Sequence, residues 1–494
     1  MISKGTNRLW GSFGVLAFSV AFVLFFSAST SPLYSSFEGF DSAVFKSVGL
    51  AILDGKVPYV DYFDHKGPVL YFINALGQWL VPGSTGVFLL QVLALSIAIC
   101  FLLKIARLFV GGWKAYLVAL LGMAVCFITY QWGNLCEEWE LPAIAAALYG
   151  TLALLTGKWE AKRALAWCTA LGALFTYSFF IRPNDAVSQM GGLMLAVFCA
   201  FLLEKEYLKA VKGALVFLGG AALAALPVLS YFAAHGALGD LWYGLIAHNL
   251  LYTGLSVPHS GIKRLWMLAF FALTLFLILR AGKRREALAM AFPFLFFGLL
   301  SGGQFFPHYL TALIPCLAAA LALLASANWK PFVLYLLCLI AIVRYDFYNK
   351  DTLELHFHNE PYRQLYLQSQ ALLDQVPAEE KKQIWNYNLG FALDGFVYTS
   401  VFFRAGLVQA NRIPLYIMGF VDPILAESDR IEDHAPLWVL LTHADDPYPY
   451  WMNPEGPLMK EYFQAGYDYI ESQYDCVAKA DTTVCSLELW KRRN

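Results

Sequence analysis

Gly55-Lys56-Val57-Pro58-Tyr59-Val60-Asp61-Tyr62-Phe63-Asp64-His65-Lys66-Gly67-Pro68 is the stretch on which the fold turns. Two carboxylates, an imidazole and an ammonium precede a Gly-Pro turn, and an apolar run continues to Leu80. That run carries Asn74 and Gln78 and ends at Pro82-Gly83, so it reads as a helix lying in a membrane interface rather than spanning it. Upstream, Asp41 to Leu53 has helical spacing, with Val44, Val48 and Leu50 to Leu53 on an apolar face. Two such helices in one loop, about residues 31 to 85, can hold polar groups at head-group depth.

Outward from this loop the chain is apolar. With 59% hydrophobic residues, 14% charged residues and a mean hydropathy of +0.54, it is not an ordinary soluble enzyme. Aromatic residues, 16% of the chain, suit interfacial belts. A bilayer core about 30 Å thick needs roughly 20 apolar residues in a helix. That window predicts eleven spans, near 9–29, 86–110, 114–132, 141–157, 165–182, 186–203, 213–234, 265–280, 287–305, 308–326 and 331–345. The first resembles a signal peptide, but its apolar region is too long and no clean cleavage pattern follows, so a retained helix is expected.

Basic residues orient the spans. Lys104, Arg107 and Lys114, then Lys158, Lys162 and Arg163, then Lys205, Lys209 and Lys212, then Arg280, Lys283, Arg284 and Arg285 occupy alternate loops. With Lys4 and Arg8 they mark the cytoplasmic side. An odd number of spans then places the C-terminal part outside. Up to Arg344 there are 23 Lys plus Arg against 14 Asp plus Glu; beyond it there are 12 against 22. This split predicts a membrane domain, 1–345, and an acidic outer domain, 346–494. The outer part is expected to be a small α/β domain, with a helix near 361–375 and strands at Gln383–Tyr387, Leu437–Leu441, Tyr467–Gln473 and Val484–Trp490. Cys476 and Cys485 can either bridge or stay free thiols, and the other cysteines show no zinc-type spacing.

Ten of the 14 acidic residues before Arg344 can face the outer side. Eight crowd into two loops: Glu38, Asp41, Asp54, Asp61 and Asp64, then Glu137, Glu138 and Glu140. A carboxylate near a bilayer is costly, so such a cluster is a candidate site. Asp41 can cap its helix or act as a general base. Lys66 can pair with Asp64 or hold an anionic phosphate beside a helix start. Glu137, Glu138 and Glu140 complement a helix dipole, yet exceed what that needs; a divalent cation or a sugar hydroxyl can use the surplus acceptors. Arg182, in Arg182-Pro183-Asn184-Asp185, can grip phosphate or neutralise carboxylates. His308 and Tyr309, in the corner Gly302 to Tyr309, can donate to the same phosphate or belong to an aromatic belt. His248, Asn249, Tyr252 and His259 can shape an acceptor site. No phosphate-cradling loop and no nucleic-acid motif is present.

These residues, in this order, resemble the GT-C superfamily of polytopic glycosyltransferases, in the bacterial branch similar to protein O-mannosyltransferases and lipid A aminoarabinose transferase. The resemblance covers about residues 9 to 345. It rests on the acidic residue after the first span, Asp54-Gly55-Lys56-Val57-Pro58, Lys66-Gly67-Pro68 before Leu70-Tyr71, the Glu137-Glu138 loop, and the Arg182 and His308-Tyr309 corners. It implies a mainly α, polytopic GT-C-like bundle in the bacterial cytoplasmic membrane. It further implies a polyprenyl-phosphate-linked sugar as donor, an outer lipid, glycan or protein acceptor, contact with membrane lipids, and usually inversion. By the same carry-over Asp41 is the base, Glu137 or Glu138 the second acid, and Lys66, with Arg182, His308 and Tyr309, the phosphate-binding set; His65 is placed with that set, and Asp64 and Glu140 beside it. A divalent metal, if used, would fall to Asp41, Glu137 and Glu138. The family pattern shows Lys-Pro-Pro where this chain has Lys66-Gly67-Pro68, often has Glu where Ser42 stands, and lacks His65. The alternative from another class is a transporter or flippase of lipid-linked saccharides, which needs broken or polar helices at the bilayer midplane.

Overall fold

The computed structural model describes residues 4–34, 37–158, 163–255, 261–300, 306–346, 360–389, 397–412, 429–443, 457–483 and 485–493. Lys162, His259 and the corner residues 302–305 lie outside them, as does the side chain of Tyr252. Among the described residues the chain is mostly helical, with one four-stranded sheet near its end.

Helix α1 (Lys4–Phe26) leads into the first loop, which holds α2 (Phe40–Leu53) and α3 (Pro68–Leu80). Then follow α4 (Thr85–Arg107), α5 (Trp113–Met123), α6 (Cys136–Leu155), α7 (Ala164–Phe179), α8 (Gly192–Leu203) and α9 (Tyr207–Ala234). The bundle continues with α10 (His248–Leu255), α11 (Gly261–Arg280), α12 (Arg284–Leu300), α13 (Ile314–Ala327) and α14 (Trp329–Asp346). Each predicted span falls wholly or largely on helix, and α2 and α3 begin and end within two residues of expectation. Four helical stretches among the described residues are long and apolar enough to cross a membrane: Thr85–Arg107, Pro183–Leu203, Tyr207–Ala234 and His308–Ala327.

Small residues set the packing. Every residue of α13 from Ile314 to Leu324 is buried, and its alanines admit close neighbours. A Cβ at Gly122 of α5 would stand 2.9 Å from that of Ala318. Helices α7 and α9 meet at two glycines: a Cβ at Gly172 would lie 2.0 Å from the Phe217 carbonyl oxygen, and one at Gly220 would lie 2.1 Å from that of Thr169. The opposite face of α9 leaves Leu208, Leu215, Leu218 and Leu223 exposed, as a lipid-facing helix would.

The C-terminal part contains α15 (Glu360–Leu373), β1 (Ile384–Leu389), α16 (Val397–Arg404), β2 (Trp438–His443), α17 (Pro457–Gln473), β3 (Tyr474–Asp481) and β4 (Ser486–Arg492). The strand order is β1-β2-β4-β3, with β1–β2 parallel and the other two pairs antiparallel. One expectation is corrected. Tyr467–Gln473 closes a helix rather than forming a strand, and the strand begins only at Tyr474. Cys476 and Cys485 are free thiols. Cys476 pairs with Trp490, five residues along from Cys485, so at about 3.3 Å per residue the thiols are too far apart to bridge.

The sheet part docks on the first loop. Ala28, Tyr34 and Phe37 share a core with Tyr362, Leu365, Phe402 and Trp438. The Phe63 amide donates to the Arg412 carbonyl oxygen at 2.8 Å, and Arg412 Nη2 donates to the Tyr59 carbonyl oxygen at 2.6 Å.

Candidate active site

Asp41 lies in the first turn of α2, behind Gly39, whose φ of 70° suits glycine. The N-cap position is Gly39, which has no side chain to cap with, and Asp41 is the acidic residue of the first turn. Its carboxyl is half-buried, and Lys66, His308, Asp64 and Glu137 are the titratable groups that act on it. Burial pushes its pKa up, against the pull of Lys66 and His308.

The Asp64-His65-Lys66 run is held from all sides. The Lys66 amide donates to the Tyr71 hydroxyl at 2.9 Å, and that hydroxyl donates to Asp64 Oδ2 at 2.7 Å. The Tyr59 hydroxyl donates to the Lys66 carbonyl oxygen at 2.6 Å, and Asn249 Nδ2 to that of His65 at 2.8 Å. Gly67 and Val69 donate to the Ile181 and Phe180 carbonyls, both at 2.9 Å, so the start of α3 is stitched to the segment carrying Arg182.

Within the run the three side chains form a line. His65 Nδ1 lies 3.2 Å from Asp64 Oδ1, and Lys66 Nζ lies 2.8 Å from His65 Nε2. The ammonium can only donate, so Nε2 accepts and the imidazole proton sits on Nδ1, toward Asp64. Burial would raise the Asp64 carboxyl, but His65, Lys66 and Tyr71 together hold it down at about 2. Burial, with Lys66 adding to it, lowers His65 to about 4, which keeps the ring neutral. Burial opposes the charge of Lys66 as well, yet Cys136, Asp41 and Tyr309 hold its pKa above the ordinary lysine value. His65, which has no counterpart in the resemblance, therefore joins Asp64 to Lys66.

The acidic loop divides its work. Glu137 pairs with Arg182, which also reaches Asp185 Oδ2 at 3.2 Å and lies 3.8 Å over the Tyr309 ring. Glu138 turns elsewhere: Gln91 Nε2 donates to it at 2.7 Å and the Leu135 amide at 3.3 Å. Glu140 is fully buried beside Asp185. His308 Nδ1 lies 2.5 Å from Gln131 Oε1, with its ring stacked on Phe306. The structure thus gathers Asp41, Asp64, His65, Lys66, Glu137, Arg182, His308 and Tyr309. Among the described residues no three His, Cys, Asp or Glu side chains group to hold an ion. Two of the three donors named for a divalent metal are already taken, Glu137 by Arg182 and Glu138 by Gln91, so the arrangement does not fit one.

Two residues, Asn134 and Lys46, escaped sequence reasoning. Asn134, at φ 60°, donates to Ser42 Oγ at 3.0 Å and Asn74 Oδ1 at 2.9 Å, and accepts from Trp139 Nε1 at 2.9 Å, tying together α2, α3 and α6. Lys46 and Glu38 form a buried ion pair. An Asn after Trp132-Gly133 was a readable turn signal; the ion pair had none.

The fold has solved counterparts. The chain is similar to ArnT from Cupriavidus metallidurans, solved bound to undecaprenyl phosphate, with a TM-score of 0.57 and 13% identity over 97% of this chain and 98% of that one. It also aligns with the oligosaccharyltransferase AglB from Archaeoglobus fulgidus, solved with an inhibitory peptide and a dolichol-phosphate, at a TM-score of 0.44 and 15% identity, covering 88% and 69%. No protein-family model matches the sequence, and no curated protein matches it. Over nearly its whole length the chain shares the fold of that ArnT.

Proposed function

We propose that this protein is a membrane glycosyltransferase that moves a sugar from a polyprenyl-phosphate donor to a hydroxyl acceptor outside the bacterial cytoplasmic membrane. One observation carries the reading: the carboxyl of Asp41 lies within electrostatic reach of Lys66 and His308, which come from two segments distant in the chain. The likeness to a fold solved with undecaprenyl phosphate supports the same donor class.

Asp41 takes the proton of the acceptor hydroxyl as that oxygen bonds to the anomeric carbon. The bond from this carbon to the phosphate oxygen breaks, and its electron pair leaves on the phosphate. A single displacement of this kind inverts the anomeric centre. Lys66 and Arg182 stabilise the departing negative charge, which grows as the bond breaks. Asp64 and His65 aim Lys66; Glu137, Asp185 and the Tyr309 ring aim Arg182. Residues 346–494 form an outer domain in this reading, and the basic loops face the cytoplasm. The test is direct: purified protein is given a synthetic polyprenyl-phosphate sugar and a mixture of outer-envelope acceptors. Release of polyprenyl phosphate with sugar in the acceptor is expected. Donor moved across vesicles without cleavage would replace this reading with the flippase one.

A further inference from the structure

The base-bearing helix α2 is not held by the membrane bundle alone. Glu38, 2% exposed, stands three residues before Asp41 and one before the positive-φ Gly39. One oxygen, Oε2, takes the buried ammonium of Lys46, two turns along α2, and a hydrogen bond from Ser84 Oγ at 3.1 Å. The other oxygen takes Arg404 Nη1 at 3.0 Å, from the last turn of α16, 366 positions away in the chain. Lys46 Nζ also donates to the Ser29 carbonyl oxygen at 2.6 Å and sits 4.9 Å from the centre of the Phe403 ring. Ser47 Oγ lies 3.5 Å from the Thr399 carbonyl oxygen. Helix α16 therefore lies along α2 and grips it at three successive points.

A buried carboxylate shared by two cations fixes its own backbone, because both oxygens must stay where their partners are. Here that backbone is the turn into α2, so the direction of Asp41 depends on Glu38. Gly39 leaves little slack: a Cβ there would meet that of Ser29 at 2.9 Å. Lys46 and Ser84 bind one oxygen only, and without Arg404 the carboxylate can rotate about its Cγ–Cδ bond.

We infer that Arg404 is a positioning residue for transfer, and that the C-terminal part completes the active site by holding Glu38 and, through it, the helix start that carries Asp41. This rests on the glycosyltransferase reading above, which is why the test has an arm independent of activity. Hydrogen exchange is measured on the full-length protein, with Arg404→Ala, Arg404→Lys and the control Lys382→Ala. Lys382 pairs with Asp54 at the other end of α2, but is 76% exposed, so its loss changes little. Arg404→Ala is expected to speed exchange in residues 38–47 while the spans stay as protected as in the parent. Arg404→Lys, which keeps one charged donor, restores part of the protection. In the transfer assay, kcat falls about tenfold to a hundredfold in Arg404→Ala, the size of effect a misplaced reacting group gives. The KM for donor stays unchanged, and Arg404→Lys recovers part of the rate. Unchanged exchange in 38–47, or a loss that appears as KM alone, overturns the inference. A parent protein that transfers no sugar overturns the glycosyltransferase reading instead, and the exchange arm still decides the role of Arg404.

Discussion

In the proposed reaction Asp41 and Lys66 do different jobs, and their substitutions separate them. A general base contributes about a hundredfold to ten-thousandfold, so Asp41→Asn is expected to lower kcat by that amount while donor affinity and thermal stability stay near the parent. A variant retaining normal turnover removes Asp41 from the mechanism. The base works only when deprotonated, and burial raises its pKa. The parent rate therefore falls on acidification through a value above the ordinary aspartate range, and the residual rate of Asp41→Asn lacks that limb. Lys66→Ala removes a charged donor worth roughly 1.5–3 kcal/mol, about tenfold to a hundredfold in apparent donor affinity. An unchanged donor KM would take Lys66 out of the phosphate site. The sequence singles out both residues as candidates because a carboxylate or an ammonium expected near a bilayer is costly. Glu138 shows where that logic is too coarse. Its acidity was as visible as that of Glu137, but its partners are Gln91 and the Leu135 amide, and nothing in three consecutive letters separates the two.

Helices α2 and α3 were readable almost to the residue because an apolar face interrupted by Asn74 and Gln78, and closed by Pro82-Gly83, has no other good conformation. What could not be read is how α3 joins Arg182, since that join is made by backbone. Gly67 is buried with an ordinary φ of −77°, so its lack of a side chain serves packing rather than backbone freedom. A Cβ there would stand 2.1 Å from the Phe180 carbonyl oxygen, and no rotamer change relieves a clash between two backbones. Gly67→Ala must push residues 180–182 away from 67–69. Overpacking of this kind costs about 1–3 kcal/mol, and here it also displaces Arg182 from Lys66. The expected outcome is a lower melting temperature together with a fall in kcat. Full activity at reduced stability would show that the spacing between the two cations is uncritical. The strand misread at Tyr467–Gln473 has the opposite origin. Tyr467, Tyr469 and Ile470 imitate alternation over a few letters, whereas their burial follows a helix that starts at Pro457.

At the scale of the molecule, α9 works as a ruler. Its 28 residues reach about 42 Å at roughly 1.5 Å each, close to the ~40–45 Å of a bilayer with its head groups. At its first end Lys209 pairs with Glu206, and Arg285 with Glu204, among the basic loops that the sequence assigns to the cytoplasm. At its other end Phe232 packs 5.7 Å from the Tyr59 ring, whose hydroxyl holds the Lys66 carbonyl oxygen, and Asp240 lies 3.9 Å from Arg412 of the C-terminal part. The charge asymmetry of the sequence and the position of the candidate site thus point the same way: candidate site and C-terminal part at one end of the ruler, basic loops at the other. Only pairing over hundreds of residues, as between Arg412 and Tyr59, ties the sheet to the loop, which is why its docking left no trace in local sequence. Cysteine labelling checks the orientation. In a parent with Cys100 and Cys476 replaced by Ser, Lys382→Cys is expected to react with a membrane-impermeant maleimide on intact cells. Arg285→Cys is expected to react only after lysis; both positions are exposed, so access alone decides the result. The reverse pattern would put Asp41 and Lys66 on the cytoplasmic side, where an outer acceptor cannot reach them.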